Sequence, residues 1–260
     1  MKKPTNQDRI ALVTGAANRL GAAMARALAA EGWAVIIHHR GGQDEARALA
    51  EEITVAGGFA AVLKADLANR RQRASLIAKA GAFFGPLTLL VNNASSFEPD
   101  SIADLDESLW DRHVAIHLEA PAFLAHDFAA QLPAKVQGNI VNIIDERVLH
   151  LTPNYFSYTL SKAALWTMTQ TMAQSLAPRI RVNAIGPGPT LREKGQTQAA
   201  FEKSQSAAPL GYAANAGDVC DALLYLVGAR AVTGQMIAVD GGKHLDFPTS
   251  RGSSPRKPAK

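Results

Sequence analysis

The chain has 260 residues, 47% of them hydrophobic, and a formal net charge of +4; that length gives one large α/β domain a real core. The excess charge sits in the last twelve residues, where Arg251, Arg256, Lys257 and Lys260 meet no acid, so the pI of 9.3 marks a tail and excludes a nucleic-acid-binding face as its cause. A single cysteine, Cys220, excludes an internal disulfide framework and suits a reducing compartment, while residues 1–8 are too polar for a signal peptide and no run approaches a membrane span, so a cytoplasmic protein is expected.

Strand-like and helix-like segments alternate from the start. Residues 10–13 are an apolar strand ending at Thr14-Gly15, and an alanine-rich helix over 19–31 closes at Gly32. A second strand covers 34–37, a helix covers 43–55, and a third strand over 59–63 leads to Asp66. A helix is predicted over 70–84, stopped by Gly85-Pro86, and a fourth strand over 87–91. Residues 109–132 read as one long helix that Pro121 kinks or breaks. The strand over 139–144 has Asp145 at its end, and a second long helix follows over 155–176. After a strand over 180–184, the Gly/Pro-rich and then polar stretch 186–211 reads as a mobile loop or lid. A helix over 216–227 and a strand over 236–239 complete the pattern, and Cys220 falls in the apolar part of that helix, as a buried thiol. The alternation predicts one doubly wound α/β domain over residues 1–248, with a parallel sheet of about seven strands. Residues 249–260 form a basic tail expected to be disordered.

Ligands of such folds bind at the carboxyl ends of the strands. That rule gathers Thr14-Gly15, His38, His39, Arg40, Asp66, residues 92–97, Asp145 and residues 186–190 along one edge. The turn from Thr14 to Gly21 lets a phosphate approach backbone N–H groups at a helix N-terminus, although it lacks the three-glycine dinucleotide fingerprint. Tyr158 and Lys162 stand four apart on a helix and share a face.

These pieces resemble the short-chain dehydrogenase/reductase family. Asn92-Asn93-Ala94, Tyr158-x-x-x-Lys162, Arg181-Val182-Asn183, Gly186-Pro187-Gly188 and Val239-Asp240-Gly241-Gly242 stand in that family's order. The resemblance spans about residues 9–245 and implies a Rossmann-type fold and a nicotinamide cofactor. It places Gly15, Arg19, Leu20, His39, Arg40, Asp66, Leu67, Asn93, Ala94, Lys162, Pro187 and Gly188 at that cofactor. An acid after the second strand would select NAD. Here His38-His39-Arg40 stand instead, with Arg19 as a further cation, so NADPH is expected. No metal is expected.

The resemblance makes Tyr158 the proton donor and gives Lys162 the nicotinamide ribose and the task of lowering the Tyr158 pKa. Where most of the family has a serine, this chain has Asp145. An ionised carboxylate ~4 Å from a developing oxyanion repels it by about 4 kcal/mol at an effective dielectric of ~20, yet suits protonation of a ring nitrogen during C=N reduction. A plainer role for Asp145 is to cap the following loop. With Asn93-Ala94-Ser95-Ser96-Phe97 and His39-Arg40, the Asp145, Tyr158 and Lys162 set resembles the pteridine reductases. That likeness implies Arg19, Ser95, Phe97, Asp145 and Tyr158 at the substrate, with Phe97 stacking on a pterin and Arg19 touching both ligands. At the position of a family asparagine stands His117, expected to take part in proton supply and to titrate near neutrality. The implied activity is NADPH-dependent reduction of a pterin, a dihydropterin or dihydrofolate. The alternatives are a ketone or 3-oxoacyl reductase and a non-catalytic NADP-binding sensor. A homotetramer built on the helices 109–132 and 155–176 is implied by the same resemblance.

Overall fold

Four apolar residues form the first strand, β1 (Ile10–Val13), and all four are buried. In a strand, successive side chains point to opposite faces, so a sheet covered on both sides needs continuous apolar strands. Here Ala11 and Val13 join the core on one face of the sheet, and Ile10 and Leu12 join the core on the other. The computed structural model describes residues 9–192, 195, 197–212 and 214–245, so the predicted disordered tail lies outside the described residues.

Six further strands, β2 (Ala34–His39), β3 (Phe59–Lys64), β4 (Leu89–Asn92), β5 (Gly138–Ile143), β6 (Ile180–Pro187) and β7 (Met236–Val239), complete an all-parallel sheet in the order β3-β2-β1-β4-β5-β6-β7. On one face lie α1 (Arg19–Ala30), α2 (Gln43–Val55) and α9 (Ala216–Gly228), anchored by Met24, Leu28, Leu49 and Leu223. On the other lie α3 (Arg70–Ala74), α4 (Leu76–Phe84), α5 (Glu107–Val114), α6 (Ala120–Gln131) and α7 (Phe156–Leu176), with Phe84, Leu124 and Phe128 in the core. The strand order reverses between β1 and β4, which opens a crevice at their carboxyl ends. Cys220 is buried in α9, and burial pushes its thiol up to about 11, so it is an inert packing group.

Several boundaries differ from the sequence expectation. The helix expected over 70–84 breaks at Ser75 into α3 and α4. β2 runs on to His39, which buries both histidines, and β6 runs on to Pro187, where it pairs with Val239. β5 ends at Ile143, two residues before Asp145. The stretch 186–211 is not loop throughout, because Gln198–Ser206 forms α8, capped by the Thr197 hydroxyl. The long helix over 109–132 is divided by a π segment, Ala115–Glu119. Pro121 has no N–H for the carbonyl four residues back, that of His117, and the wider turn upstream takes up the mismatch.

Candidate active site

Thr14 follows β1, and its hydroxyl accepts from the N–H groups of Asn93 at 2.9 Å and Ala94 at 3.0 Å. In return the Asn93 amide donates to the Thr14 carbonyl at 2.8 Å and the Gly15 carbonyl at 3.1 Å. These bonds lock the turn after β1 to the turn after β4, across the reversal in strand order. Gly15 lies at φ +63°, and a Cβ there would come within 2.8 Å of the Ala94 Cα, so only glycine fits.

His38 braces the same turn from β2. Its Nδ1 accepts from the Gly15 N–H at 3.1 Å, and its Nε2 faces the Ala65 carbonyl, also at 3.1 Å. A nitrogen that accepts from an amide carries no proton, so the ring is the neutral Nε2–H tautomer. Burial pushes its pKa down to about 4. His39 points to the other side of the strand and donates from Nδ1 to the Gly41 carbonyl at 2.9 Å. Arg40, by contrast, is exposed and has no ion-pair partner among the described residues.

Every residue expected at the cofactor or the substrate lines one cavity of about 610 Å³; of the sequence candidates only His117 lies behind its wall. The cavity fits a dinucleotide phosphate. Asn18 makes no side-chain cap at the start of α1, and the first turn carries no acid, so the amide end of that helix is open to an anion. Arg19 opens the helix in the left-handed region, φ +51°, and its guanidinium donates to the Arg192 carbonyl at 3.0 Å. It therefore ties the phosphate turn to the segment after β6. Gly188, in that segment, packs so tightly on the turn after β7 that a Cβ would stand 2.7 Å from the Asp240 Cβ.

The groups expected from the sequence to react lie at the end of β5 and on the first turns of α7. Asp145 uses both carboxylate oxygens. Oδ1 accepts from the Arg147 N–H at 2.9 Å, capping the turn 146–148, and Oδ2 accepts from the Tyr158 hydroxyl at 2.8 Å. The carboxylate thus caps the turn and meets the Tyr158 hydroxyl at the same time. Tyr158 is 4% exposed. Burial, the Asp145 charge and its hydrogen bond hold the phenol well above its ordinary pKa, with Arg147 as the opposing cation, which corrects the expectation that Lys162 lowers it. Lys162 donates to the Ile143 carbonyl at 2.8 Å, and burial brings its pKa down to about 8 against the pull of Asp145. Its ammonium stands 5.7 Å from the centroid of the Tyr158 ring.

His117 has its hydrogen-bonding fixed by its neighbours. The Ser96 N–H donates to Nε2 at 3.2 Å, so Nε2 carries no proton, and the Ser95 hydroxyl lies 2.9 Å from the same atom. Ser161 spends its proton on the Tyr158 carbonyl at 2.7 Å, leaving its oxygen to accept from His117 Nδ1 at 2.8 Å. Burial, Lys162 and His113 all disfavour a second proton and hold the pKa well below the ordinary value. Titration near neutrality, expected from the sequence, is therefore corrected. The ring is a neutral bridge between the Ser95-Ser96 loop and α7.

Phe97 enters the cavity with one face stacked on Tyr155, at 4.4 Å between centroids, and with its edge contact to Tyr158 at 4.7 Å. The Arg147 guanidinium carbon lies 4.5 Å from the Tyr155 ring and 5.1 Å from the Phe97 ring. The sequence places His38 on the ligand edge but does not reveal its brace on Gly15, and it gives neither Arg147 nor Tyr155 a role. The only signal for the arginine was its place two residues after Asp145. The Arg181 and Asn183 motif, by contrast, is structural. Arg181 donates to carbonyls at the end of α9, and Asn183 to the Val232 carbonyl.

A family model described as enoyl-(acyl carrier protein) reductase matches residues 15–244. The chain is a short-chain dehydrogenase/reductase. The crystal structure of FolM alternative dihydrofolate reductase 1 from Brucella canis, complexed with NADP, matches with a TM-score of 0.89 and 47% identity, covering 94% of this chain and 97% of that one. The Brucella suis counterpart, also in complex with NADP, gives 0.91 and 47%, covering 94% and 98%. Cis-4-hydroxycyclohexanecarboxylate dehydrogenase of Sinomonas cyclohexanicum is 35% identical over 243 residues, 90% of this chain and 96% of the relative. As an oxidoreductase of this family, the chain has the parallel sheet, the Tyr158 and Lys162 pair and the open α1 N-terminus in one crevice. Among its described residues no helix is long and apolar enough to cross a membrane, and no cluster of three or more His, Cys, Asp or Glu side chains could hold a metal.

Proposed function

We propose that the protein reduces the C=N bond of a pterin or dihydropterin, dihydrofolate included, with NADPH. The observation that carries this is the 2.8 Å bond from the Tyr158 hydroxyl to Asp145. A carboxylate at this place repels an alkoxide but holds a proton on the phenol for delivery to a ring nitrogen. NADPH supplies the hydride when bound. Arg40 and the amide end of α1 hold its phosphates, and Lys162 its nicotinamide ribose. Arg40 stands where an acid would select NAD, and the two Brucella structures hold NADP. Tyr158 gives its proton to the substrate nitrogen, and Asp145 keeps the phenol protonated until that nitrogen accepts. Phe97 and Arg19 flank the substrate ring. His117 positions the loop that carries Ser95 and Phe97.

The test is NADPH oxidation measured with dihydrobiopterin, dihydrofolate, a cyclic ketone and a 3-oxoacyl ester. Turnover of the pterins in preference to the carbonyl compounds is expected, and the reverse preference overturns the proposal. The second outcome has an observation in its favour, because the family model is described by an acyl-chain substrate and the Sinomonas relative by a cyclohexane carboxylate.

A further inference from the structure

A second cavity, of about 280 Å³, opens beside the first and shares Glu146, Arg147 and Lys243 with it. Its other walls are His150, Thr152, Asn154 and Tyr155. The side pocket is biased towards positive charge. Its one carboxylate, Glu146, is buried and paired with Lys243 at 3.1 Å, while Arg147 makes no ion pair within salt-bridge distance among the described residues. The Arg147 guanidinium has a buried nitrogen, Nη1, with no hydrogen-bond partner among the described residues. Such a group is costly to leave unmade, and its planar fork matches a carboxylate. The same guanidinium lies 5.1 Å from the Phe97 ring, so it borders the position proposed for the pterin.

We propose that this side pocket receives the anionic tail of the substrate, and that Arg147, with His150, recognises a carboxylate carried beyond the pterin ring. The preferred substrate is then a dihydrofolate-type molecule, a pterin with an aminobenzoyl-glutamate tail, over pterins with short neutral side chains. Tyr155 lines the side pocket and stacks on Phe97 of the main cavity, and its ring suits the aromatic part of such a tail. This inference rests on the pterin proposal and adds the tail-binding site to it.

The experiment measures kcat/KM for dihydrofolate and for dihydropteroate, which has the same ring and aminobenzoyl group but no glutamate. Arg147 also acts on Tyr158, so a change common to both substrates reports on proton delivery. The tail contact reads only in their ratio. Arg147→Leu is expected to lower the dihydrofolate to dihydropteroate ratio by roughly tenfold or more, the effect of a lost charge-assisted hydrogen bond. Arg147→Lys should recover part of it, since it keeps the charge without the fork. His150→Asp, which puts a negative charge in the pocket away from Tyr158, should lower the same ratio and guards against a misfolded Arg147 variant. A ratio unmoved in folded Arg147→Leu and His150→Asp overturns the inference. If the wild-type enzyme turns over neither pterin, the pterin proposal fails by itself. Calorimetric binding of free aminobenzoyl-glutamate to the NADPH-loaded protein then decides the pocket. Binding lost in Arg147→Leu supports a tail-carboxylate site, and absence of binding to wild type refutes it.

Discussion

Replacing Asp145 with serine removes a charge and keeps an oxygen able to accept from the Arg147 N–H, so the turn that Asp145 caps retains its bond. Tyr158 is buried, with its hydroxyl 2.8 Å from Asp145 Oδ2. Ionising the phenol would set two delocalised negative charges side by side. Taking ~4 Å between their centres and an effective dielectric of ~20, they repel by about 4 kcal/mol, equivalent to roughly three pKa units. A phenol can donate only while it keeps its proton, so activity is present below its pKa and lost as pH rises through it. In the wild type that loss lies beyond the ordinary tyrosine range, because burial and Asp145 both raise the pKa. In Asp145→Ser it should move down by roughly two to three units. Lys162 shifts as well: burial lowers its pKa to about 8 and Asp145 opposes that lowering, so the variant should lose the ammonium at lower pH. Pterin turnover should fall roughly tenfold or more, and turnover of a ketone should be spared or improved. The assay is kcat against pH for both substrate types, with tyrosinate absorbance as the direct titration. An unchanged pH profile together with unchanged pterin turnover would refute this role for Asp145.

Arg40→Ala should weaken NADPH by roughly ten- to a hundredfold and NADH far less; titration of each cofactor by fluorescence checks it, and equal losses would remove Arg40 from the 2′-phosphate. Phe97→Ala should raise the pterin KM several-fold, stacking being worth about 0.5–1.5 kcal/mol, with NADPH affinity nearly unchanged, whereas an unaltered KM in a folded variant returns Phe97 to packing on Tyr155. His117→Ala should raise the pterin KM by loosening the Ser95-Ser96 loop, at about 0.5–1.5 kcal/mol for each lost bond, and His117→Asn should restore part of it. The pH profile should not gain or lose a step near neutrality in either variant, and a step that disappears would return His117 to proton supply. A homotetramer is expected on the faces of α5–α6 and α7, where Phe123 and Leu160 are 53% and 44% exposed; analytical ultracentrifugation showing a monomer would dispose of it.

The fold was legible because strands buried on both faces have little latitude. Ile10–Val13 has no polar residue to misplace, and the same holds for the interior of β5 apart from Asn139 and Asn142. The interruption of the long helix was half legible. Pro121 announces it, but whether the chain kinks at the proline or widens upstream depends on packing that no local pattern carries. Two adjacent histidines show the limit more sharply. His38 and His39 are the same residue type, one position apart, and they do unrelated things because successive strand side chains face opposite ways. Which of them meets Gly15 is decided by where β2 ends and how it pairs, and β2 ends two residues later than its apolar run implies.

The site was legible where helical spacing brings two residues to one face, as at Tyr158 and Lys162, and obscure where a residue acts through a tertiary contact. Arg147 approaches two aromatic rings only because Asp145 caps a tight turn and Tyr155 takes the left-handed region, φ +59°. Neither condition is written in the spacing. The case of Asp145 is different, because its two candidate roles were both visible and seemed to compete. A carboxylate has two oxygens with separate lone pairs. The turn takes one and the phenol takes the other. The cap therefore fixes the carboxylate that addresses Tyr158, and serine can keep the turn's bond but brings no charge to the phenol.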